Sequence, residues 1–246
     1  MSADADADVS QVARLIGEPA RAAVLMALID GRALAASTLA QEAGVAPSTV
    51  SSHLGRLTDA GLVNVEASGR NRYYRLAGPE VAETLESLAR LAPPKPVRSL
   101  RQATRAHALR RARTCYDHLA GRLGVALTDA LLECGDVVAE RASTEVTDPI
   151  LGPGRAHAFH LTDGGAAHLA ALGVAIDPRN RRPLMRYCVD WSEQRPHLGG
   201  ALGAAILQMM LSREWVRRGS GRAILTTPSG DAALIEHFGV DTAALE

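Results

Sequence analysis

Several things are scarce or missing in this chain of 246 residues, and each absence narrows its function. Three cysteines, Cys115, Cys134 and Cys188, are too few for a disulfide scaffold, so a reduced, cytoplasmic protein is expected. No run approaches the ~18 apolar residues of a membrane span, so no membrane partner is expected. The opening MSADADADVS is acidic and has no basic stretch before an apolar core, so a secretory signal is not expected. There is no Gly-rich phosphate loop, no nucleophile elbow and no His-Glu-x-x-His, so the usual machinery of an enzyme is missing. Net charge is missing too, with 27 Lys+Arg against 27 Asp+Glu. What is present is ordinary globular material. Hydrophobic residues make up 47% and charged residues 22%, which excludes a largely disordered chain. The length suits one or two domains, each able to bury a core.

The neutral total hides a local imbalance. Lys95, Arg98, Arg101, Arg105, Arg110, Arg111 and Arg113 fall within residues 93–113, which contain no acid. Such a run is either a solvated helix flank, a set of phosphate contacts, or a surface that docks on the acidic N-terminal part. Just before it, Ala92-Pro93-Pro94-Lys95-Pro96 cannot continue a helix and favours an extended spacer. The expected organisation is a domain over 10–92, a Pro-rich linker over 93–98 and a second domain over 99–246. The expected class is mainly α with small β wings (α+β).

Within 10–92 the pattern predicts helices around Val12, Leu15 and Ile16, from Pro19 to about Gly31, over Thr38–Ala43 with Ser37 as N-cap, and from Pro47 to Leu57. Leu62–Glu66 and Arg72–Leu76 read as a hairpin around Ser68-Gly69-Arg70-Asn71, and Pro79–Leu91 as a last helix. Three helices followed by a hairpin make a winged helix-turn-helix. Gly44 allows the sharp reversal between the paired helices. The second helix of the pair offers Ser48, Thr49, Ser51, Ser52, His53 and Arg56 on its open side. Side chains of that size and chemistry can enter a major groove and bond base edges and phosphates. Arg70 and Arg72 on the hairpin suit a minor groove or a phosphate clamp.

The stretch Leu39-Ala40-Gln41-Glu42-Ala43-Gly44-Val45-Ala46-Pro47-Ser48-Thr49-Val50-Ser51-Ser52-His53-Leu54-Gly55-Arg56-Leu57-Thr58-Asp59-Ala60-Gly61-Leu62-Val63 resembles the recognition unit of ArsR/SmtB transcription regulators. The opening Ile16-Gly17-Glu18-Pro19-Ala20-Arg21 and the wing Gly69-Arg70-Asn71-Arg72-Tyr73-Tyr74-Arg75-Leu76 are similar to theirs. The likeness covers residues 10–92 with helix pair, wing and upstream helix in order. It implies a homodimeric repressor of double-stranded DNA whose ligand lowers operator affinity. A winged helix used only for protein interaction is the alternative. Two metal boxes common in such regulators are missing. Leu34-Ala35-Ala36-Ser37-Thr38-Leu39 has no Cys or His, and Glu80–Arg90 has carboxylates but no His. Sensing is therefore expected in the extra C-terminal domain.

That domain contains a duplication. Arg113-Thr114-Cys115-Tyr116-Asp117-His118-Leu119-Ala120-Gly121-Arg122-Leu123-Gly124 recurs as Arg186-Tyr187-Cys188-Val189-Asp190, six extra residues, then His197-Leu198-Gly199-Gly200-Ala201-Leu202-Gly203. Each copy runs on through an apolar helix and closes with a strand and helix. Residues 113–177 and 186–241 are therefore expected to be two α-β-α units packed with pseudo-twofold symmetry. If the axis passes near them, Cys115, His118, Cys188 and His197 converge, with Cys115 and His118 three apart on one helix face. Two thiolates and two imidazoles suit Zn²⁺ or another divalent transition metal, and Asp117 and Asp190 are candidate ligands or partners of the histidines. Other readings stay open at this stage. One is that the recurrent residues pack one copy on the other. An organic inducer between the copies, lined by Tyr116, Tyr187, Trp191 and Trp215, is an alternative to the metal. A thiol switch through Cys115 and Cys188, or a metal-dependent hydrolase fused to the winged helix, would use the same residues.

Overall fold

The computed structural model describes residues 6–69, 71–93, 96–141, 157–177 and 179–245. The chain packs as two units, Met1–Leu88 and Ala89–Glu246. Pro94 and Lys95 of the expected linker, and Arg70 of the expected wing contacts, lie outside the described residues, as do residues 142–156 of the first repeat.

The first unit runs α1 (Val9–Ile16), α2 (Pro19–Leu28), β1 (Leu34–Ala35), α3 (Ala36–Ala43), α4 (Pro47–Asp59), β2 (Val63–Ser68), β3 (Asn71–Leu76) and α5 (Pro79–Leu91). The division between units falls in the last turn of α5. Pro19 sits at the start of α2, where its missing N–H costs nothing, and the Glu18 carboxylate accepts from the Ala20 and Arg21 amides. Val24, Leu25 and Leu28 of α2 meet Leu39 of α3 and Val50, Leu54 and Leu57 of α4 in the core. Gly44 ends α3 in the left-handed region at φ 67°, which turns the chain into α4. Ser37 is not the N-cap of α3. That helix starts two residues earlier, after Ala35, because β1 pairs with β3 (Leu34 opposite Tyr74) and hands the chain straight into the helix. The wing is thus a three-stranded sheet in the order β1-β3-β2.

The second unit starts with α6 (Leu100–Arg111), capped by the Ser99 hydroxyl accepting from the Gln102 amide. Two copies of one pattern follow. The first is β4 (Arg113–Cys115), β5 (His118–Ala120), α7 (Gly121–Glu133), β6 (Val137–Arg141), β7 (His157–Leu161) and α8 (Asp163–Ala171). The second is β8 (Arg186–Val189), β9 (Pro196–Gly199), α9 (Gly200–Ser212), β10 (Val216–Arg218), β11 (Ile224–Thr226) and α10 (Pro228–Phe238). A 3-10 turn, Thr242–Leu245, ends the chain. The α+β class holds, but each copy is hairpin-helix-hairpin-helix and not α-β-α. The correction lies in the Cys-x-x-His stretch, which is a hairpin and not a helix. Tyr116 takes φ 55°, a left-handed value that a continuing helix forbids, and Cys115 pairs directly across from His118.

Matched details carry the symmetry. Gly121 and Gly200 open the first helix of each copy at φ 77° and 83°. Thr162 and Thr227 cap the last helix of each, accepting from the Gly165 and Gly230 amides. A Cβ on those glycines would lie 2.2 Å from the Asp136 oxygen and 1.8 Å from the Trp215 oxygen, so only glycine fits either place. The copies pack reciprocally, α7 on β9 and α9 on β5. The Leu198 amide donates to the Thr128 hydroxyl at 2.9 Å. Leu119, Leu123, Leu127 and Leu131 meet Leu198, Leu202, Ile206 and Met210 in one core.

Candidate functional site

Two candidate sites emerge, one in each unit. In the first, Val50, Leu54 and Leu57 bury one stripe of α4 at helical spacing, which leaves the opposite side open. Ser48, Thr49, Ser51, Ser52 and Arg56 are all exposed. The Ser51 hydroxyl donates to the Pro47 oxygen at 2.9 Å. His53 departs from the expected open face. It lies at the margin of the buried stripe, its side chain is 14% exposed, and its Nε2 sits 3.6 Å from the Glu18 carboxylate. Arg72 is exposed on β3, while Arg75 is ion-paired with Glu66 across the wing.

In the second unit, each hairpin supplies one thiol and one imidazole. Cys115 faces His118 across β4–β5, and Cys188 faces His197 across β8–β9. Because α9 packs on β5 and α7 on β9, the two hairpins meet. One ligand atom from each of Cys115, His118, Cys188 and His197 lies within 4.8 Å of all the others. The two imidazoles stack with centroids 5.1 Å apart. Small residues permit this approach: a Cβ on Gly199 would lie 3.1 Å from His118 Nε2, and one on Gly203 would lie 3.2 Å from His118 Cβ.

The chemistry of the donor set fits a metal ion. His118 and His197 are buried, and beyond the Asp117 carboxylate 3.5 Å from His118 Nδ1 none of their ring nitrogens makes a hydrogen bond of good geometry outside the cluster. A buried polar atom left unpaired costs about 1–3 kcal/mol, so imidazoles this poorly satisfied mark a place built for something that binds them. Two sulfurs and two nitrogens match a tetrahedral site for a borderline or soft cation. The charges agree. Hydrogen bonding from Cys115 lowers the Cys188 pKa well below its ordinary value, and the two imidazoles add to this against the opposing effect of burial. Burial disfavours a charged His118, yet the Asp117 carboxylate and the Cys188 sulfur outweigh it and raise its pKa to about 9.

The two aspartates do different work. Asp117 lies 3.5 Å from His118 Nδ1 and is clasped by Arg182. Asp190, its counterpart in the second copy, is fully buried against Arg113, with the Gly121 amide also donating to it at 2.6 Å. Burial opposes its charge, but Arg113 and that amide hold the carboxyl well below the usual carboxylate range. The Arg113 guanidinium also lies 4.6 Å from the Trp191 ring centroid. Arg113 therefore leaves the basic run it seemed to end. Arg98, Arg101, Arg105 and Arg110 remain on the exposed side of the segment. This network was missed from sequence, although the recurrence of Arg and Asp at fixed offsets from each Cys was its signal.

The aromatic residues do not gather around one cleft. Tyr116 faces Arg182, Tyr187 faces Phe159, Trp191 faces Arg113, and Trp215 is buried beside His237. A cavity lined by Leu119, Leu127, Leu198 and Ile206 holds about 10 Å³, the room of a single water. Among the described residues no helix is long and apolar enough to cross a membrane.

Residues 16–66 match the family model described as a helix-turn-helix domain. The chain is 39% identical over 236 residues to YdfF of Bacillus subtilis (strain 168), an uncharacterized HTH-type transcriptional regulator, covering 95% of this chain and 98% of that protein. Among solved structures, reduced HlyU from Vibrio cholerae N16961 is 27% identical and matches 35% of this chain and 88% of its own, with a TM-score of 0.32. The homodimeric winged helix-turn-helix domain of Mb0332 from Mycobacterium bovis, a possible ArsR-family regulator, is 28% identical over 37% of this chain and 88% of its own, TM-score 0.32. The cadmium sensor CMTR from Mycobacterium tuberculosis is 30% identical over 37% and 99%, TM-score 0.30. With the near full-length relative, the motif-level likeness to ArsR/SmtB recognition units and the winged helix in view, the chain belongs to the family of helix-turn-helix-type transcriptional regulators.

Proposed function

We propose that this regulator is a cytoplasmic, homodimeric, ArsR-type repressor released from its operator by a divalent transition metal held in the C-terminal unit. The winged helix meets duplex DNA. Ser48, Thr49, Ser51, Ser52 and Arg56 of α4 enter the major groove, His53 borders that face, and Arg72, with Arg70, anchors the wing. Val9 and Val12 on α1 and Leu88 on α5 are exposed apolar side chains, which supports a partner surface for a second copy. The protein acts by binding, without turnover.

The observation that carries the sensing half is the convergence of Cys115, His118, Cys188 and His197 from two repeats, with buried imidazole nitrogens that lack well-formed hydrogen bonds. Zn²⁺ is the best chemical match to that donor set. A bound ion would add a direct tie between the two hairpins, whereas a metal-free unit leaves them held by packing and by the Arg113–Asp190 ion pair. That difference is the lever for moving the recognition helices of a dimer away from their ~34 Å half-site spacing. An organic inducer finds less support, since the aromatic side chains that would line its cleft face separate partners. The test is a titration of a promoter fragment by fluorescence anisotropy, with and without zinc, on wild type and Cys188→Ser. Stoichiometric zinc that weakens wild-type binding and leaves the variant unaffected is the expected result. Protein that shifts DNA but takes up no zinc removes the metal reading, and protein that binds no duplex removes the repressor reading.

A further inference from the structure

We propose that Cys115 and Cys188 form a modification site: a hydroperoxide converts the pair into a disulfide that joins the two repeats. The inference uses the same four-residue cluster as the metal reading. Its disulfide step stands on geometry alone, and its consequence for metal rests on that reading.

The two sulfurs come from different copies and lie within 4.8 Å of each other. Their backbones are pinned by hairpin pairing, Cys115 opposite His118 and Cys188 opposite His197. Closing the gap to the ~2.05 Å of an S–S bond therefore falls to side-chain rotation. Cys115 is buried and Cys188 is half-buried, so a small oxidant reaches the pair from the Cys188 side. The third cysteine is a built-in control. Cys134 caps the end of α7, is exposed, and its thiol donates to the Leu131 oxygen outside the cluster.

The chemistry balances in two steps. The Cys188 thiolate attacks one oxygen of hydrogen peroxide, the O–O bond breaks, and hydroxide leaves, giving the sulfenic acid. The Cys115 thiol then attacks that sulfur, the S–O bond breaks, and water leaves with the thiol proton. Two electrons pass from the two sulfurs to the peroxide. Both thiolate donors are consumed, so His118 and His197 alone remain, and a site of two imidazoles does not hold zinc tightly. One cluster thereby answers to two signals, gaining a metal in one state and losing it in the other.

The test uses the full chain, zinc-loaded and metal-free, exposed to stoichiometric hydrogen peroxide, then denatured, alkylated and peptide-mapped. Two of three thiols should become unreactive, with Cys115 and Cys188 joined in one peptide pair and Cys134 alkylated. Zinc-loaded protein should release one zinc per chain, read with a colorimetric chelator. Sulfinic acid at either residue, cross-links through Cys134, or three intact thiols under excess peroxide would each overturn the proposal. Metal-free chain that forms the Cys115–Cys188 bond but never binds zinc supports the modification site and removes the metal reading. Loaded chain that keeps its zinc and all three thiols does the reverse. Cys134→Ser should behave as wild type, with no alkylatable thiol left after oxidation.

Discussion

Arg113 and Asp190 form an ion pair 2.8 Å apart with neither side chain exposed to solvent, and each comes from a different copy of the duplication. A charge pair taken wholly out of water is costly to assemble and far costlier to halve. Here the remaining lone pairs are used as well. Asp190 accepts from the Gly121, Ser192 and Glu193 amides, and Arg113 donates to the Leu109 oxygen and the Ser192 hydroxyl.

Arg113→Ala should therefore destabilise the C-terminal unit by about 3–5 kcal/mol, because it strands a buried carboxylate. Urea unfolding followed by tryptophan fluorescence reports it, since Trp191 and Trp215 both lie in this unit. An unchanged midpoint would show that the pair carries no stability.

Two glycines in helices should respond with opposite signs. Gly-to-Ala in an open helix position is stabilising by roughly 0.5–1 kcal/mol. Gly55 in α4 has nothing within 4 Å of a built Cβ, so Gly55→Ala should raise stability. Gly203 in α9 has the Leu198 oxygen at 2.3 Å and His118 Cβ at 3.2 Å, so Gly203→Ala should lower stability and displace a ligand histidine. Paired denaturation curves and a zinc-competition titration decide both halves.

Zinc at a hundredfold excess over its Kd should stabilise the chain by about 2.7 kcal/mol. Thermal melts with added zinc and with a chelator measure this. Cys188→Ser should lose the shift, and Cys134→Ser should keep it.

Arg56→Ala and Arg72→Ala should each weaken operator binding by about 1–3 kcal/mol where the side chain reads a base, and should flatten the salt dependence where it touches phosphate. Anisotropy titrations at several salt concentrations separate the cases. Unaltered isotherms for both variants would mean that α4 and the wing do not face DNA.

The Glu18 carboxylate accepts from two backbone amides at the start of α2, which lowers its pKa from the ordinary 4.5. A depressed folded pKa contributes stability above the unfolded value and loses it as pH falls through the folded one. Acid melts should therefore show a loss beginning below about pH 4.5, and Glu18→Gln should make that limb shallower. Superimposable acid limbs for the two proteins would remove the assignment.

The winged helix was legible because its signals are local. Pro19 and Pro47 open helices, Gly44 turns the chain, and Val50, Leu54 and Leu57 recur at helical spacing. The two-residue strand β1 was invisible, since its only signature is its pairing with Tyr73 and Tyr74 forty residues later. The four-residue cluster was reached by the right symmetry and the wrong local structure. A Cys-x-x-His spacing places both residues on one helix face, but it equally places them opposite each other across a two-residue turn. The left-handed Tyr116 that decides between these leaves no mark in the residue types. The Arg113–Asp190 pair was hidden for another reason. Seen in sequence, Arg113 closes a run of like charges, and nothing local tells a solvated arginine from one whose partner lies 77 positions away.

The six residues Trp191–Pro196 lengthen the second hairpin turn and free Asp190 to reach back under the first copy, while Asp117 stays beside its own histidine. Sequence counterparts have thus diverged into complementary parts. Asp117 and Asp190 hold matching places in the repeat, yet only Asp190 reaches across to the other copy, so exchanging the two hairpins would not preserve the pair with Arg113.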